Sequence, residues 1–253
     1  MTCLLSSCCQ TGKQRHSMMK TRTARWHTAL KDALQKEEGM KNVFQLATTD
    51  INATPHVRSH ILRDHIIHPS LPSLPLLLTT TDIRTPKVTQ MKSSSSHCVE
   101  ANFWIEATNE QFRVSGRAAI YPSPELTEQK GIEGVGEVYD AFKNQRWNWE
   151  DERRKQFDSV SAHMRASWCR PVPGSPMDSY SDAKKWPVKV TKPGEEGYDV
   201  ENYEEALGNF ALLLIDPIEV DRVEFGVIPN QRTKFVRQES DDGEKWKEVI
   251  LVP

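Results

Sequence analysis

The sequence has few cysteines, no long apolar run and almost no net charge, and each shortage excludes a class of protein. Cys3, Cys8, Cys9, Cys98 and Cys169 are odd in number and form no Cys-x-x-Cys, which leaves neither a disulfide framework nor a zinc-finger spacing. Free thiols fit a reducing compartment, and a cytoplasmic location is the expectation. The longest apolar runs, residues 76–78 and 211–215, fall far below the roughly 20 residues of a transmembrane helix, so no membrane partner is expected. Thirty-three basic against 35 acidic residues give a formal charge of −2, so no global field recruits nucleic acid. Any anion site must be local.

What is present is a polar but foldable chain of 253 residues, 37% hydrophobic and 27% charged, long enough for one large domain. Its start is basic: Lys13, Arg15, Lys20, Arg22, Arg25 and Lys31 occur before any acid. That balance suits a disordered tail over 1–23, an upstream start ahead of Met18 or Met19, or a mitochondrial targeting segment. The expected domain is 24–253, with an irregular insertion at about 122–207 that includes five prolines between 171 and 193.

Trp26, Ala29, Leu30, Ala33 and Leu34 repeat at helical spacing, with Gly39 as the stop. Residues 42–49 and 57–62 read as a strand hairpin, 76–80 as a third strand, and 85–91 as a short helix entered through Pro86. Residues 99–108 and 112–121 form a second hairpin across Asn109-Glu110-Gln111, a charged helical stretch covers 138–157, and strand character returns at 210–215, 220–228, 233–238 and 245–251. Six or more antiparallel strands with short helices make a β-barrel or a two-sheet sandwich.

Four segments can carry chemistry. In 76–87 a buried strand runs through Thr79, Thr80 and Thr81 to Thr85 and Lys87 at a helix start; this is an anion site in outline, or an ordinary Thr N-cap beside a solvated lysine. Arg58 and Arg63 are five apart on one strand, which puts them on opposite faces unless a bulge intervenes. Gln111 offers an amide that can read a heterocycle edge. Arg232 and Lys234 face the same way at i and i+2, as a second anion clamp or as edge protection. His56, His60, His65 and His68 lack a ligand register, and no metal is expected.

Seven segments in order, 44–48, 58–63, 81–87, 110–116, 209–213, 220–224 and 246–253, resemble the pyridoxamine 5′-phosphate oxidase-like, FMN-binding split-barrel family, in a divergent branch. The resemblance implies a mainly β split barrel with short helices that forms a homodimer with FMN at the subunit interface. It implies cofactor contacts from Arg58, Ser59, Ile61, Arg63, Thr80, Thr81, Thr85, Lys87 and Gln111. Arg63, Arg165, Ser167, Arg232 and Lys234 are implied to hold a small phosphorylated substrate. The chain departs from the pattern at several points. Arg63 stands for a usual lysine, Pro86 for a second flavin-contacting arginine, Lys234 for a histidine and Gly226 for a tryptophan. The implied activity is a flavin-dependent oxidoreductase, and the alternative is a non-catalytic flavin-binding or scaffold dimer.

Overall fold

The computed structural model describes residues 23–253 except Met40, Ser95 and 240–244. The basic tail therefore lies, apart from Thr23, outside the described residues. Helix α1 (Arg25–Lys36) presents Trp26, Leu30, Ala33 and Leu34 on one buried stripe. It ends when Glu37 turns extended, with the Glu37 N–H still bonded to Leu34 O. Gly39 is therefore not the stop. Trp26 is fully buried and meets Trp246 edge to face, ring centroids 5.4 Å apart. Truncating such an aromatic costs about 3–5 kcal/mol.

Among the described residues nine antiparallel strands follow: β1 (Val43–Thr49), β2 (Pro55–Ile61), β3 (Asp64–Ile66), β4 (Leu76–Asp82), β5 (Cys98–Ile105), β6 (Glu110–Tyr121), β7 (Phe210–Glu224), β8 (Gln231–Arg237) and β9 (Trp246–Leu251). They form one sheet in the order β2-β1-β5-β6-β7-β4-β3, with β8 joining β7 and β9 joining β8. Strict alternation along β1 and β5 sends Phe44, Leu46, Ala101 and Phe103 inward. Phe44 and Phe103 stack at 4.9 Å in that core.

The sheet curls so that β2 returns to β4 without forming a ladder with it. Three bonds close the ring: Arg63 N–H donates to Leu78 O at 2.8 Å, the Thr79 hydroxyl donates to Ile61 O at 2.8 Å, and His60 Nδ1 lies 3.2 Å from Thr79 Oγ1. This is a split barrel, which resolves the choice between barrel and sandwich.

The 210–215 and 220–228 runs are one strand, β7, which continues through Pro217. β4 pairs only up to Ile215 and β8 only from Glu219, so neither neighbour needs the N–H that Pro217 lacks. Gly116 sits opposite at a register shift, where a Cβ would lie 2.5 Å from Asp216 O.

Helix α2 (Pro86–Ser93) follows β4. Between β6 and β7 stand α3 (Thr127–Lys130), α4 (Glu137–Asn144), α5 (Trp149–Ser159), α6 (Ala162–Ala166) and α7 (Val200–Asn209). The insertion is thus largely helical, and its irregular part is the Pro-rich stretch between α6 and α7. The helical stretch at 138–157 is divided between α4 and α5, where Arg146 takes a positive φ of 55° and Asn148 caps α5.

Candidate functional site

Where β2 and β4 part, a cavity of about 560 Å³ opens between them, floored by the strands and roofed by the Pro-rich stretch. Arg58, Ser59, Ile61, Arg63, Thr80, Thr81, Thr85 and Lys87 all line it. Arg58 and Arg63 share the cavity despite their odd spacing. β2 stops at Ile61, Leu62 N–H still bonds Asn42 O, and Arg63 N–H switches to Leu78 O on β4, so the alternation is broken between them.

Arg58 is held on neutral oxygens. Its Nη1 donates to Thr48 Oγ1 at 2.7 Å and Leu46 O at 3.1 Å, and its Nη2 donates to Gln90 Oε1 at 2.9 Å. The Thr48 hydroxyl donates to the same Gln90 oxygen at 2.7 Å. Lys87 Nζ lies 3.1 Å from both Thr81 Oγ1 and Thr85 Oγ1. Thr85 precedes α2 but does not cap it; its hydroxyl donates to Asp82 O at 2.7 Å. In the first turn of α2 Pro86 has no N–H and Val88 N–H is bonded to Thr85 O at 3.1 Å, so the Lys87 N–H, with the positive end of the helix dipole, is what the turn offers to an acceptor from outside the helix.

Asp82 is the carboxylate among the lining residues, and it is already occupied. Arg84 grips it with Nε at 3.0 Å and Nη2 at 2.6 Å, and extends to Trp168 O at 3.2 Å. Arg84 is thus a brace for the roof, and it does not take the place of the arginine absent at Pro86. Arg63 Nε is buried with no hydrogen-bond partner.

The electrostatics follow from this set. Burial lowers the pKa of Arg58 and of Arg63. Burial first, and then Arg58, bring Lys87 down to about 8 against a smaller opposing pull from Asp82. His60, which also lines the cavity, is brought to about 3 by burial and by Lys87, Arg58 and Arg63. Its Nδ1 lies 3.2 Å from Thr79 Oγ1, whose proton goes to Ile61 O, so Nδ1 carries the imidazole proton. Four cations, Arg58, Arg63, Lys87 and Arg170, surround a space whose one carboxylate is spent. The cavity therefore carries an excess of positive charge. At an effective dielectric of about 20, an anionic charge gains about 4 kcal/mol before desolvation from each single cation it approaches to about 4 Å.

The roof is mainly apolar. Met164, Trp168, Pro171, Met177 and Trp186 face the cavity, and the Arg170 guanidinium lies 5.9 Å from the Trp186 ring centroid. Ser167 lines it too, its hydroxyl donating to Met164 O at 2.6 Å. Arg165 does not line it. Only 3% exposed, it donates to Val190 O, Val160 O and Asp158 O at 2.8, 2.6 and 3.2 Å, tying the Pro-rich stretch to α5 and α6.

Gln111, Arg232 and Lys234 also stand away from the cavity, on the outer face of the sheet. Gln111 donates to Asn102 Oδ1 at 2.8 Å, and Asn102 donates to Gln45 Oε1 at 3.3 Å, an amide ladder across three strands. Arg232 forks onto Asp221 at 3.0 and 2.8 Å, and Lys234 lies 2.8 Å from Glu219. Gly226 is fixed by packing, since a Cβ there would sit 2.7 Å from Thr108 O.

Sequence reasoning missed Thr48, Gln90, His60 and the roof apart from Ser167. The i, i+2 spacing from Arg58 to His60 on β2 carried a usable signal. Thr48 and Gln90 carried none, because their contact with Arg58 joins three elements. The four histidines at 56–68 have separate partners: Asp50, Thr79, His27 and Ser70. Among the described residues no group of three or more potential metal ligands forms, and no helix is long and apolar enough to cross a membrane.

Comparison with known proteins agrees with this architecture. Residues 23–122 match the family model described as pyridoxamine 5′-phosphate oxidase, FMN-binding domain. A pyridoxamine 5′-phosphate oxidase-related, FMN binding protein from Nostoc punctiforme is similar in structure, with a TM-score of 0.64 and 23% identity over 92% of this chain and 100% of that one. PhzG from Burkholderia lata, solved with tetrahydrophenazine-1-carboxylic acid, has a TM-score of 0.56 and 14% identity over 90% and 89% of the two chains. No curated protein matches the sequence.

Proposed function

We propose that this chain, whose residues 23–122 carry the FMN-binding domain of the pyridoxamine 5′-phosphate oxidases, binds FMN in the β2–β4 cavity and acts as a flavin-dependent oxidoreductase. The observation that carries the reading is the cluster of Arg58, Arg63 and Lys87 with no carboxylate to neutralise it. The buried, unpartnered Nε of Arg63 and the uncapped start of α2 point the same way. FMN fits this donor set, because its phosphate is an anion that needs converging N–H, hydroxyl and ammonium donors. Lys87, Thr81 and Arg58 would hold the phosphate end, with Thr85, whose hydroxyl proton goes to Asp82 O, accepting from and positioning the Lys87 ammonium, and Ser59, Ile61 and Thr80 along the wall.

Bound FMN supplies hydride acceptance, and the protein supplies orientation and electrostatics. Arg63 is shared between that phosphate end and the anionic group of a small phosphorylated substrate. Trp168, Met177 and Trp186 exclude water above it. Neutral His60 accepts at Nε2 without adding charge.

The expected contacts of Gln111, Arg232 and Lys234 are made only if a second copy brings its outer sheet face to this cavity, so the reading includes a homodimer with composite sites. An exposed Trp104 beside Phe225, ring centroids 6.0 Å apart, gives that face apolar area to bury. One observation favours the alternative of a non-catalytic flavin protein: Arg232 and Lys234 are already paired to Asp221 and Glu219, which leaves fewer free charges for a substrate.

The test is purification, absorption in the flavin bands and titration with FMN, for the native chain and for Arg58→Ala and Lys87→Glu. A stoichiometric yellow complex weakened by both substitutions supports the site. Binding of equal strength in all three proteins refutes it. Oxidation of pyridoxamine or pyridoxine 5′-phosphate by the loaded protein separates the enzyme from the flavin holder.

A further inference from the structure

A second cavity, of about 330 Å³, opens between α1 and the β2–β3 break, and Arg63 lines both it and the larger one. Lys31 from α1 and Lys41 from the approach to β1 complete a set of three cations. None of the three makes an ion pair within 4.0 Å among the described residues, whereas the surface pairs Arg25–Glu248 and Lys185–Asp182 close at 2.5 and 3.1 Å. The acid lining this cavity, Asp64, is turned to its own strand, where Oδ1 accepts from His65 N–H at 2.8 Å.

His65 adds a donor. Its Nδ1 lies 3.0 Å from His27 Nε2, and His27 Nδ1 is buried without a partner. A buried N–H without an acceptor is rarer than a buried lone pair without a donor, so the His27 proton belongs on Nε2 and is given to His65 Nδ1. The neutral His65 ring then keeps its own proton on Nε2. Burial and Lys31 keep His65 uncharged, with a pKa of about 4. The wall thus presents two ammonium groups, a guanidinium and an imidazole N–H against one exposed carboxylate, an excess of positive charge.

We propose that this cavity is a second anion site, taking a tetrahedral oxyanion, free phosphate or the phosphate of a small ester, on Lys31, Lys41 and Arg63, and that its occupant antagonises anion binding in the larger cavity. The antagonism arises because one guanidinium has a single charge to divide between two anions. Only this coupling rests on the FMN reading; the site itself does not.

Calorimetric titration of the full FMN-loaded chain with inorganic phosphate, and separately with glycerol 3-phosphate, tests it against a Lys31→Gln/Lys41→Gln variant. Both lysines are exposed, and an unchanged melting midpoint confirms that the variant folds. Phosphate should bind the loaded native chain and bind the variant at least about tenfold more weakly, the loss of two charge-assisted contacts from exposed side chains. The FMN dissociation constant should rise with added phosphate more steeply in the native chain than in the variant, which keeps only direct competition. Equal phosphate affinity in both proteins overturns the site, and equal steepness overturns the coupling. Tighter binding of glycerol 3-phosphate assigns the site to an ester, and equal binding assigns it to free phosphate. If the chain binds no FMN, the flavin-free titration still decides: the native chain should bind phosphate at least about tenfold more tightly than the variant, and identical isotherms refute the second site.

Discussion

Three histidines make this fold acid-sensitive well above the carboxylate range. Burial brings His27 to about 3, assisted by His65 and Lys31; it brings His60 to about 3 and His65 to about 4. In the unfolded chain each returns to about 6.5. The folded state thus binds fewer protons, and stability falls as pH drops below about 6.5, the loss continuing until the folded values are reached. Between about pH 7.5 and about pH 5.5 each histidine removes about 1.4 kcal/mol, and the three together about 4 kcal/mol. Asp216 has the opposite sign, because burial raises its carboxyl despite Arg237, and it offsets part of the loss at the acid end. For a chain of this size about 4 kcal/mol lowers the melting midpoint by about 8–16 °C. Urea unfolding at the two pH values, without added flavin or phosphate, measures the effect, and His60→Gln should remove about one third of it. A stability that stays flat from about pH 7.5 to about pH 5.5 would refute the burial and neutrality assigned to these rings.

Lys87, with a pKa of about 8, should make FMN affinity pH-dependent: full below that value, and weaker as the ammonium is lost above it, by up to about tenfold per unit. Fluorescence titration from neutral to alkaline pH checks this, and Lys87→Met should flatten the profile. Arg165→Ala should destabilise the chain by about 1–3 kcal/mol through three orphaned carbonyls, yet leave FMN affinity within about twofold; denaturation and titration on one preparation separate the two effects. Gly226→Ala, whose Cβ would press on Thr108 O at 2.7 Å, should cost about 1–3 kcal/mol in unfolding experiments.

The strands were legible because one-sided burial imposes a period of two. Phe44, Leu46, Ala101 and Phe103 alternate in sequence and lie on one inner face. The three-residue β3 was not legible, since its existence depends on β4 lying beside it. Nor was the continuity of β7 through Pro217, which becomes permissible only because its neighbours change there. The helix α7 was hidden by its acidic, half-exposed sequence, although Asp199 caps it in the ordinary way.

Within the site, Thr81, Thr85 and Lys87 were readable as an anion site in outline, and Arg58 joined them only through the resemblance. The convergence of Arg63 with them was not, because a change of hydrogen-bond partner at Leu62 and Arg63 overrides the strand period. Arg165 was misleading for a related reason. A buried arginine looks the same in sequence whether it faces a ligand or three carbonyls of its own chain.

The central claim is that the cavity between β2 and β4 is an FMN phosphate site, and calorimetric titration of the native chain with FMN tests it most directly, repeated with riboflavin, which lacks the phosphate. The account predicts one FMN per chain and riboflavin bound at least about a hundredfold more weakly, the loss of contacts from Arg58 and Lys87 at about 1.5–3 kcal/mol each. Equal affinity for the two flavins, or binding of neither, would contradict it.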